Sequence, residues 1–492
     1  MKCSLRAASL LAALFAVVLV VGCQVQPGAN VNQGQPPPQQ QQGVATPAQT
    51  ATPPATAAAT PDRAGGGRVP VTLPVLDAMF ADEGFAGELK SKLQLTDEQV
   101  ENLRRTAREA VGNLREIDAA ADESYGGTTS AAAARAEDQI KGVIGADKWP
   151  QLAAFVRERW SGGGAEGNGA AALTAKPSSV PTDTRVVVNA PAYRMDVFEN
   201  GTLVKTYRVG IGYPEFPLPT GLRRADTIIF NPTWTPPDEP WVESPSNKVK
   251  AGEKIDAGSP LNPLGLIKIP IGLPSLIHGG KSPAKLGTFA SHGCVGLTNP
   301  QVQDFAVMLA KIGGAELTAA DAKAYAKERT ETKNVKLNNA VPVELRYETI
   351  VVEDGKLYVY RDVYDYGTNT EENLRAVLEA NGVSFEQLSE PERAQALDAL
   401  KQMARDAQGR PADGGGSANN SNGNENTSNK NAKRADATSE RVTRSVKGRK
   451  EIVVEIAALK GKGYPASVNL VNASGQSSGG KRSDAATTRK RT

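Results

Sequence analysis

The stretch from Ile277 to Leu297 reads IHGGKSPAKLGTFASHGCVGL, and it holds both histidines of a 492-residue chain, His278 and His292, together with Cys294. A cysteine nucleophile needs a neighbouring base or cation to hold it as thiolate, and an imidazolium does this by lowering the thiol pKa. The base in turn needs an acceptor on its second ring nitrogen to fix the tautomer. An oxyanion needs backbone N–H donors where the chain turns tightly. Gly293 has the conformational freedom to aim its own N–H and that of Cys294 at one point. These residues are the parts of a thiol acyltransferase or peptidase. Two other readings of the same residues stay open. His278, His292 and Cys294 could ligate a metal such as zinc, although no second Cys or His cluster exists to complete a structural site. They could also be core histidines beside a buried structural thiol.

Working outward, the motif is followed by a helix, with Asn299 as its cap, Pro300 at its first position, QVQDFAVMLAKI as its body and Gly313-Gly314 as its stop. Upstream the pattern has period two. TRVVVNAPAYRMDVFENGTLVKTYRVGIG gives one strand and then two strands joined at Asn200-Gly201, a strong hairpin signal. The hundred or so residues after it are punctuated by Pro and Gly, as in PEFPLPTG and NPTWTPPDEPW, and read as loop-rich β. Downstream, VPVELRYETIVVEDGKLYVYRDVY predicts a hairpin turning at Asp354-Gly355, and a helical stretch follows over about 370–405.

Before this β region, residues 71–160 have helical spacing. Thr96 and Gln99 form a capping-box pattern, and Val100, Leu103, Ala107, Val111, Leu114 and Ile117 make one apolar stripe. Two shorter helices, broken near Gly145 and Pro150, follow. The section reads as a helical spacer. A Gly-rich joint over 161–183 separates it from the β region.

The ends read as address and tether. Lys2 and Arg6 precede an apolar run too short for a comfortable membrane span, which makes 1–22 a secretory signal. Its ending VVGC is the pattern of a lipoprotein signal, with Cys23 as the acylated first residue. Because Gln24 is not Asp, sorting preference puts the anchor in an outer membrane facing the periplasm. Of the 3 cysteines, Cys3 then leaves with the signal and Cys23 carries lipid, so Cys294 has no partner for an intramolecular disulfide. Residues 23–70, rich in Pro, Gln, Ala and Thr, cannot bury enough apolar surface to offset their ordering entropy and read as a disordered tether. The final section, 406–492, reads as a low-complexity basic tail that could touch anionic wall or membrane polymers. A net charge of +3 points to no nucleic-acid partner, and 5% aromatic content is low for one large globule.

The central motif resembles the signature of the L,D-transpeptidases, which cross-link bacterial peptidoglycan through an active-site cysteine. The resemblance rests on Ile277-His278-Gly279, on Gly287 four residues before Ser291, and on Ser291-His292-Gly293-Cys294. It extends to VVVNAPAYRMDVFENGTLVKTYRVGIG and PLPTG, while NPTWTPP and LNPLG are similar to elements of the Gram-negative subgroup. It implies a mainly β, sandwich-like catalytic domain with one or two helices over 184–318, beneath a mobile lid. The section 319–405 would then be a C-terminal hairpin and helical extension. It further implies Cys294 as nucleophile, His278 as base, the Gly279 carbonyl as its orienter and N–H groups around Gly293 and Cys294 as oxyanion hole. Ser291 and His292 would shape the loop and contact substrate. No cofactor or metal is implied. The substrate would be a peptidoglycan stem tetrapeptide, attacked at the carbonyl of its third residue with loss of the terminal D-alanine. An amine of a second stem would accept the acyl group. Water as acceptor would make an L,D-carboxypeptidase, and a domain without turnover would be a wall-binding structural lipoprotein.

One position departs from the family. Gly296 stands where an arginine is usual, two residues after the cysteine, and glycine cannot replace a guanidinium in carboxylate recognition. Lys281, Lys285 or Arg223 could supply the missing cation.

Overall fold

A computed structural model describes residues 70–478 except 81, 83, 114–127, 161–176, 237–247, 251, 273–274, 330, 408, 411–444 and 472–473. The signal segment, Cys23, the tether before residue 70 and most of the Gly-rich joint lie outside the described residues, as does much of the basic tail.

Five helices come first: α1 (Leu73–Phe80), α2 (Phe85–Leu93), α3 (Asp97–Asn113), α4 (Thr129–Ile144) and α5 (Trp149–Trp160). The capping box at the start of α3 is formed. The Gln99 amide donates to Thr96 Oγ1 at 3.1 Å, and the Thr96 amide donates to Gln99 Oε1 at 3.0 Å. Leu103 and Ala107 from the stripe are buried with Leu76, Phe85, Leu89, Ile140, Leu152 and Val156 in one apolar core. Fully burying each of the larger of these side chains stabilises by about 1.5–3 kcal/mol. The break between the shorter helices spans Gly145 to Lys148. Pro150 is not part of it, because a proline in the first turn of α5 costs no hydrogen bond.

The β region begins with β1 (Arg185–Asn189), β2 (Arg194–Glu199), β3 (Thr202–Arg208), β4 (Ile211–Gly212) and β5 (Gly221–Phe230). It continues through β6 (Ile267–Pro270), β7 (Leu276–His278), β8 (Phe289–Ser291) and β9 (Val295–Gly296) to β10 (Lys333–Arg346). The hairpin turns at Asn200-Gly201, where both residues have positive φ, 50° and 76°. These ten strands and two late ones, β14 (Leu470–Val471) and β15 (Ser477–Ser478), divide between a ten-stranded sheet, ordered β15-β14-β3-β2-β1-β10-β5-β6-β7-β9, and a small parallel pair of β4 and β8. The large sheet curls. Its last strand, β9, meets the chain just beyond β3, where Gly210 and Gly296 exchange two backbone bonds of 2.9 Å. Val186, Val188, Met195, Ile269, Val343 and Leu345 fill the interior, and the Asn299–Ile312 helix covers it with Val302, Phe305 and Leu309.

Three expectations need correcting. The domain does not end at residue 318, because β10 lies inside the large sheet, parallel to β1 and antiparallel to β5. The first half of the downstream hairpin, VPVELR, therefore belongs to β10. Only β11 (Ile350–Glu353) and β12 (Lys356–Tyr360) form the hairpin that turns at Asp354-Gly355. Nor is 406–492 all low-complexity tail. Within it β13 (Glu451–Glu455) pairs with β12, β14 (Leu470–Val471) pairs with β3, and β15 (Ser477–Ser478) completes the edge. The β-branched run EIVVEI in this basic stretch carries the strand signal. The helix cap is Thr298 rather than Asn299. Thr298 and Gln301 make a reciprocal capping box, which leaves the Asn299 side chain free for another task.

Candidate active site

His278 is the last residue of β7 and Cys294 immediately precedes β9. The two strands are parallel, with Ile277 opposite Val295 and His278 opposite Gly296. The register thus brings the histidine strand and the cysteine loop side by side. The Leu297 amide donates to the His278 carbonyl at 2.8 Å, and the Gly279 amide donates to Ile267 at 3.0 Å, so the histidine backbone is fixed on both sides. Asn299 Oδ1 accepts the amides of Gly280 and Leu266, each at 3.0 Å, and so ties the residues after His278 to the helix that follows the motif. The sequence offered no sign of this use beyond a polar residue near a helix start.

The imidazole is buried, and its Nδ1 lies 2.8 Å from the Gly279 carbonyl oxygen. A carbonyl can only accept, so Nδ1 carries the proton and Nε2 carries the lone pair. Burial is the main cause that pushes the His278 pKa down to about 3, and the Lys281 cation pushes in the same direction. Hydrogen bonds to the Gly279 and Leu264 carbonyls oppose this without reversing it. Burial also pushes the thiol of Cys294 up, against a Leu276 backbone hydrogen bond and the Lys281 charge. At neutral pH the two groups are an uncharged imidazole and an uncharged thiol. Burial thus works against the charged form of both groups, while the Lys281 charge favours the thiolate.

The SHGC turn is held from within. Gly293 has a φ of 81°, which favours glycine. Ser291 is buried; its Oγ accepts the Cys294 amide at 3.0 Å and donates back to the Cys294 carbonyl. Two site expectations change as a result. Ser291 spends its hydroxyl on the turn and is not placed to contact substrate, and the Cys294 amide is already engaged. The Gly293 amide makes no hydrogen bond to another described residue. Ser275 Oγ donates to the Gly293 carbonyl at 2.9 Å, which fixes that peptide. His292 packs edge-on against Phe216 and Tyr213, with ring centroids 4.5 and 5.2 Å apart. Among the described residues, His278, His292 and Cys294 do not converge as a metal-binding group.

Residues 183–329 match the family model of the L,D-transpeptidase catalytic domain. The chain carries an L,D-transpeptidase catalytic domain. The probable L,D-transpeptidase YbiS of Escherichia coli K12 is 31% identical over 123 residues, which are 24% of this chain and 39% of the relative. The chain thus spans 39% of the length of the curated relatives it matches. The catalytic domain of the E. faecium L,D-transpeptidase is 16% identical, with 34% of this chain and 99% of that one aligned and a TM-score of 0.21. An L,D-transpeptidase from Mycobacterium smegmatis is 15% identical over 33% of this chain and 58% of its own, also with a TM-score of 0.21.

The cations of the transpeptidase domain separate clearly. A Cβ on Gly296 would meet the Lys281 side chain, with its Cγ at 2.8 Å and Cε at 3.1 Å. The Lys281 stem therefore lies over the position where the family places its arginine. Lys285 sits in the short 3-10 turn Pro283–Lys285, with its carbonyl oxygen close to Gly210, the residue paired with Gly296. Arg223 is engaged by the helical region. It is buried on β5, where its Nη2 donates to the Trp160 carbonyl at the end of α5 and burial lowers its pKa to about 10. It fastens the helical region to the sheet. That region also grips the loop carrying Tyr213 and Phe216, because Thr72 Oγ1 donates to the Glu215 carbonyl at 3.0 Å and Thr129 Oγ1 to Pro214 at 2.7 Å.

Proposed function

We propose that the protein is a peptidoglycan L,D-transpeptidase in which Cys294 is the nucleophile and His278 the base. His278 Nε2 takes the thiol proton as Sγ attacks the carbonyl of the third stem residue. The oxyanion forms against the Gly293 amide. Collapse of the intermediate breaks the C–N bond, and His278 returns the proton to the departing D-alanine amine. An amine of a second stem then attacks the thioester, His278 takes its proton, and Cys294 leaves as thiol. The observation that supports this reading best is the parallel pairing of β7 and β9, with the tautomer of His278 set by Gly279. Lys281, lying over Gly296, is the cation for the substrate carboxylate.

Acylated at Cys23, the chain would hang from the outer membrane with its catalytic domain in the periplasm. Incubation with disaccharide-tetrapeptides, with products weighed by mass spectrometry, tests the activity. Cross-linked dimers support transpeptidation, tripeptides alone would make the enzyme a carboxypeptidase, and unchanged substrate would leave a binding module.

A further inference from the structure

Four side chains outside the thiol site are gathered with no anion to balance them. Arg208, exposed at the end of β3, lays its guanidinium against Gly287, where a Cβ would collide with it. Lys450 Nζ donates to the carbonyl of the same Gly287 and lies 5.4 Å from the Tyr193 ring centroid. The Arg361 amide donates to the Lys450 carbonyl at 2.8 Å, while Arg361 Nε and Nη2 donate to the carbonyls of Lys447 and Arg449. Arg361 is only 4% exposed and its Nη1 has no partner; Tyr193 is 3% exposed and its hydroxyl has none either. Among the described residues no carboxylate pairs with Arg208, Arg361 or Lys450. The nearest acid felt by Arg361 is Asp406, which is paired with Arg410, and Arg405 adds a further positive charge.

Cations brought together on one glycine repel each other, and buried N–H and O–H groups left unpaired are unfavourable. An arrangement of this kind becomes favourable when an oxyanion accepts from the guanidinium, the ammonium and the phenol together. Its position says which oxyanion. Gly287 opens the run that leads to Cys294: its amide donates to Val209 at 2.8 Å, and Ile211 and Gly212 pair with Phe289 and Ser291 in β8. A polymer held at Gly287 would continue along this run toward the thiol.

We propose that Arg208, Lys450, Arg361 and Tyr193 form a second subsite, which binds a carboxylate of a peptidoglycan stem while another part of the wall occupies the thiol site. This rests on the transpeptidase reading and extends it to a contact made by the C-terminal segment, beyond the matched catalytic domain.

The test uses the full chain with Cys294→Ala to prevent turnover and measures Kd for a disaccharide-tetrapeptide and for its carboxamide form. Arg208→Gln and Lys450→Met should each weaken the carboxylate peptide about tenfold and leave the carboxamide peptide unchanged, a comparison that isolates the charge contact. Equal weakening of both peptides, or of neither, overturns the subsite. So does a loss confined to inorganic phosphate, which would assign the cluster to a phosphate-bearing polymer. D-alanine release with Cys294 intact keeps the two readings apart. If the parent releases none, the transpeptidase reading fails; if it does and KM is unchanged in both variants, only the subsite fails.

Discussion

The Tyr364 hydroxyl donates to the Gly212 carbonyl at 2.9 Å and accepts the Leu218 amide at 3.1 Å, closing the two ends of the loop between them. That loop supplies Tyr213 and Phe216, the rings that hold His292 beside Cys294. Tyr364 is itself stacked on Tyr347, with centroids 5.4 Å apart, and its amide donates to the Tyr347 hydroxyl at 2.8 Å. The Tyr347 hydroxyl in turn donates to the buried Asp362 carboxylate at 2.6 Å. The loop against His292 is thus fixed by a segment beyond the matched residues 183–329.

Tyr364→Phe keeps the ring and strands two buried backbone groups. It should cost about 1–3 kcal/mol of stability and lower kcat, because the loop against His292 loses its closure. Thermal melting and tetrapeptide turnover check both parts. An unchanged melting temperature would show that the loop does not depend on this clasp.

The depressed pKa of His278 has a consequence for acid stability. Folded, the imidazole protonates near about 3; unfolded, it does so near the ordinary value of 6.5. Below that ordinary value the unfolded chain binds the extra proton, so this contribution is present above it and is lost as pH falls toward about 3. Urea denaturation at pH 7 and pH 5 should show a loss on acidification that is smaller in His278→Gln. Identical pH dependence in the two proteins would contradict the buried neutral imidazole.

Lys281 serves two purposes in this account. Lys281→Met should raise KM for the tetrapeptide, as its carboxylate loses a cation. It should also shift the basic limb of the pH–rate profile upward, because the charge now lowers the thiol pKa. Gly296→Arg should be slower than the parent, since the new side chain must displace the Lys281 stem. A faster Gly296→Arg enzyme would mean that Lys281 has not taken over the arginine's role.

Arg223 is predicted to matter for assembly rather than for substrate. Arg223→Met removes the bond to Trp160 and should lower the melting temperature while leaving KM unchanged. A raised KM at an unchanged melting temperature would return Arg223 to the substrate site.

What the sequence revealed depended on how local the signal was. The SHGC turn, the Asn200-Gly201 and Asp354-Gly355 turns and the Thr96 capping box are set by residues a few positions apart, and each was legible. The place of β10 between β1 and β5 was not, because strand order depends on pairing between distant segments. Tyr364 and Asn299 escaped for the same reason: each is an ordinary polar residue whose partner lies far away in the chain. The burial of the Cys–His pair, which disfavours the charged form of each group, is invisible in a motif.

The central claim is that Cys294 is acylated by a stem peptide through His278. The most direct measurement is the intact mass of the protein after brief incubation with a disaccharide-tetrapeptide, followed by mapping of the modified residue. The account predicts a gain equal to the substrate less D-alanine, located on Cys294, absent in Cys294→Ala and far smaller in His278→Ala than in His292→Ala. A folded wild-type protein that gains no mass and releases no D-alanine, or an adduct that survives in Cys294→Ala, would contradict it.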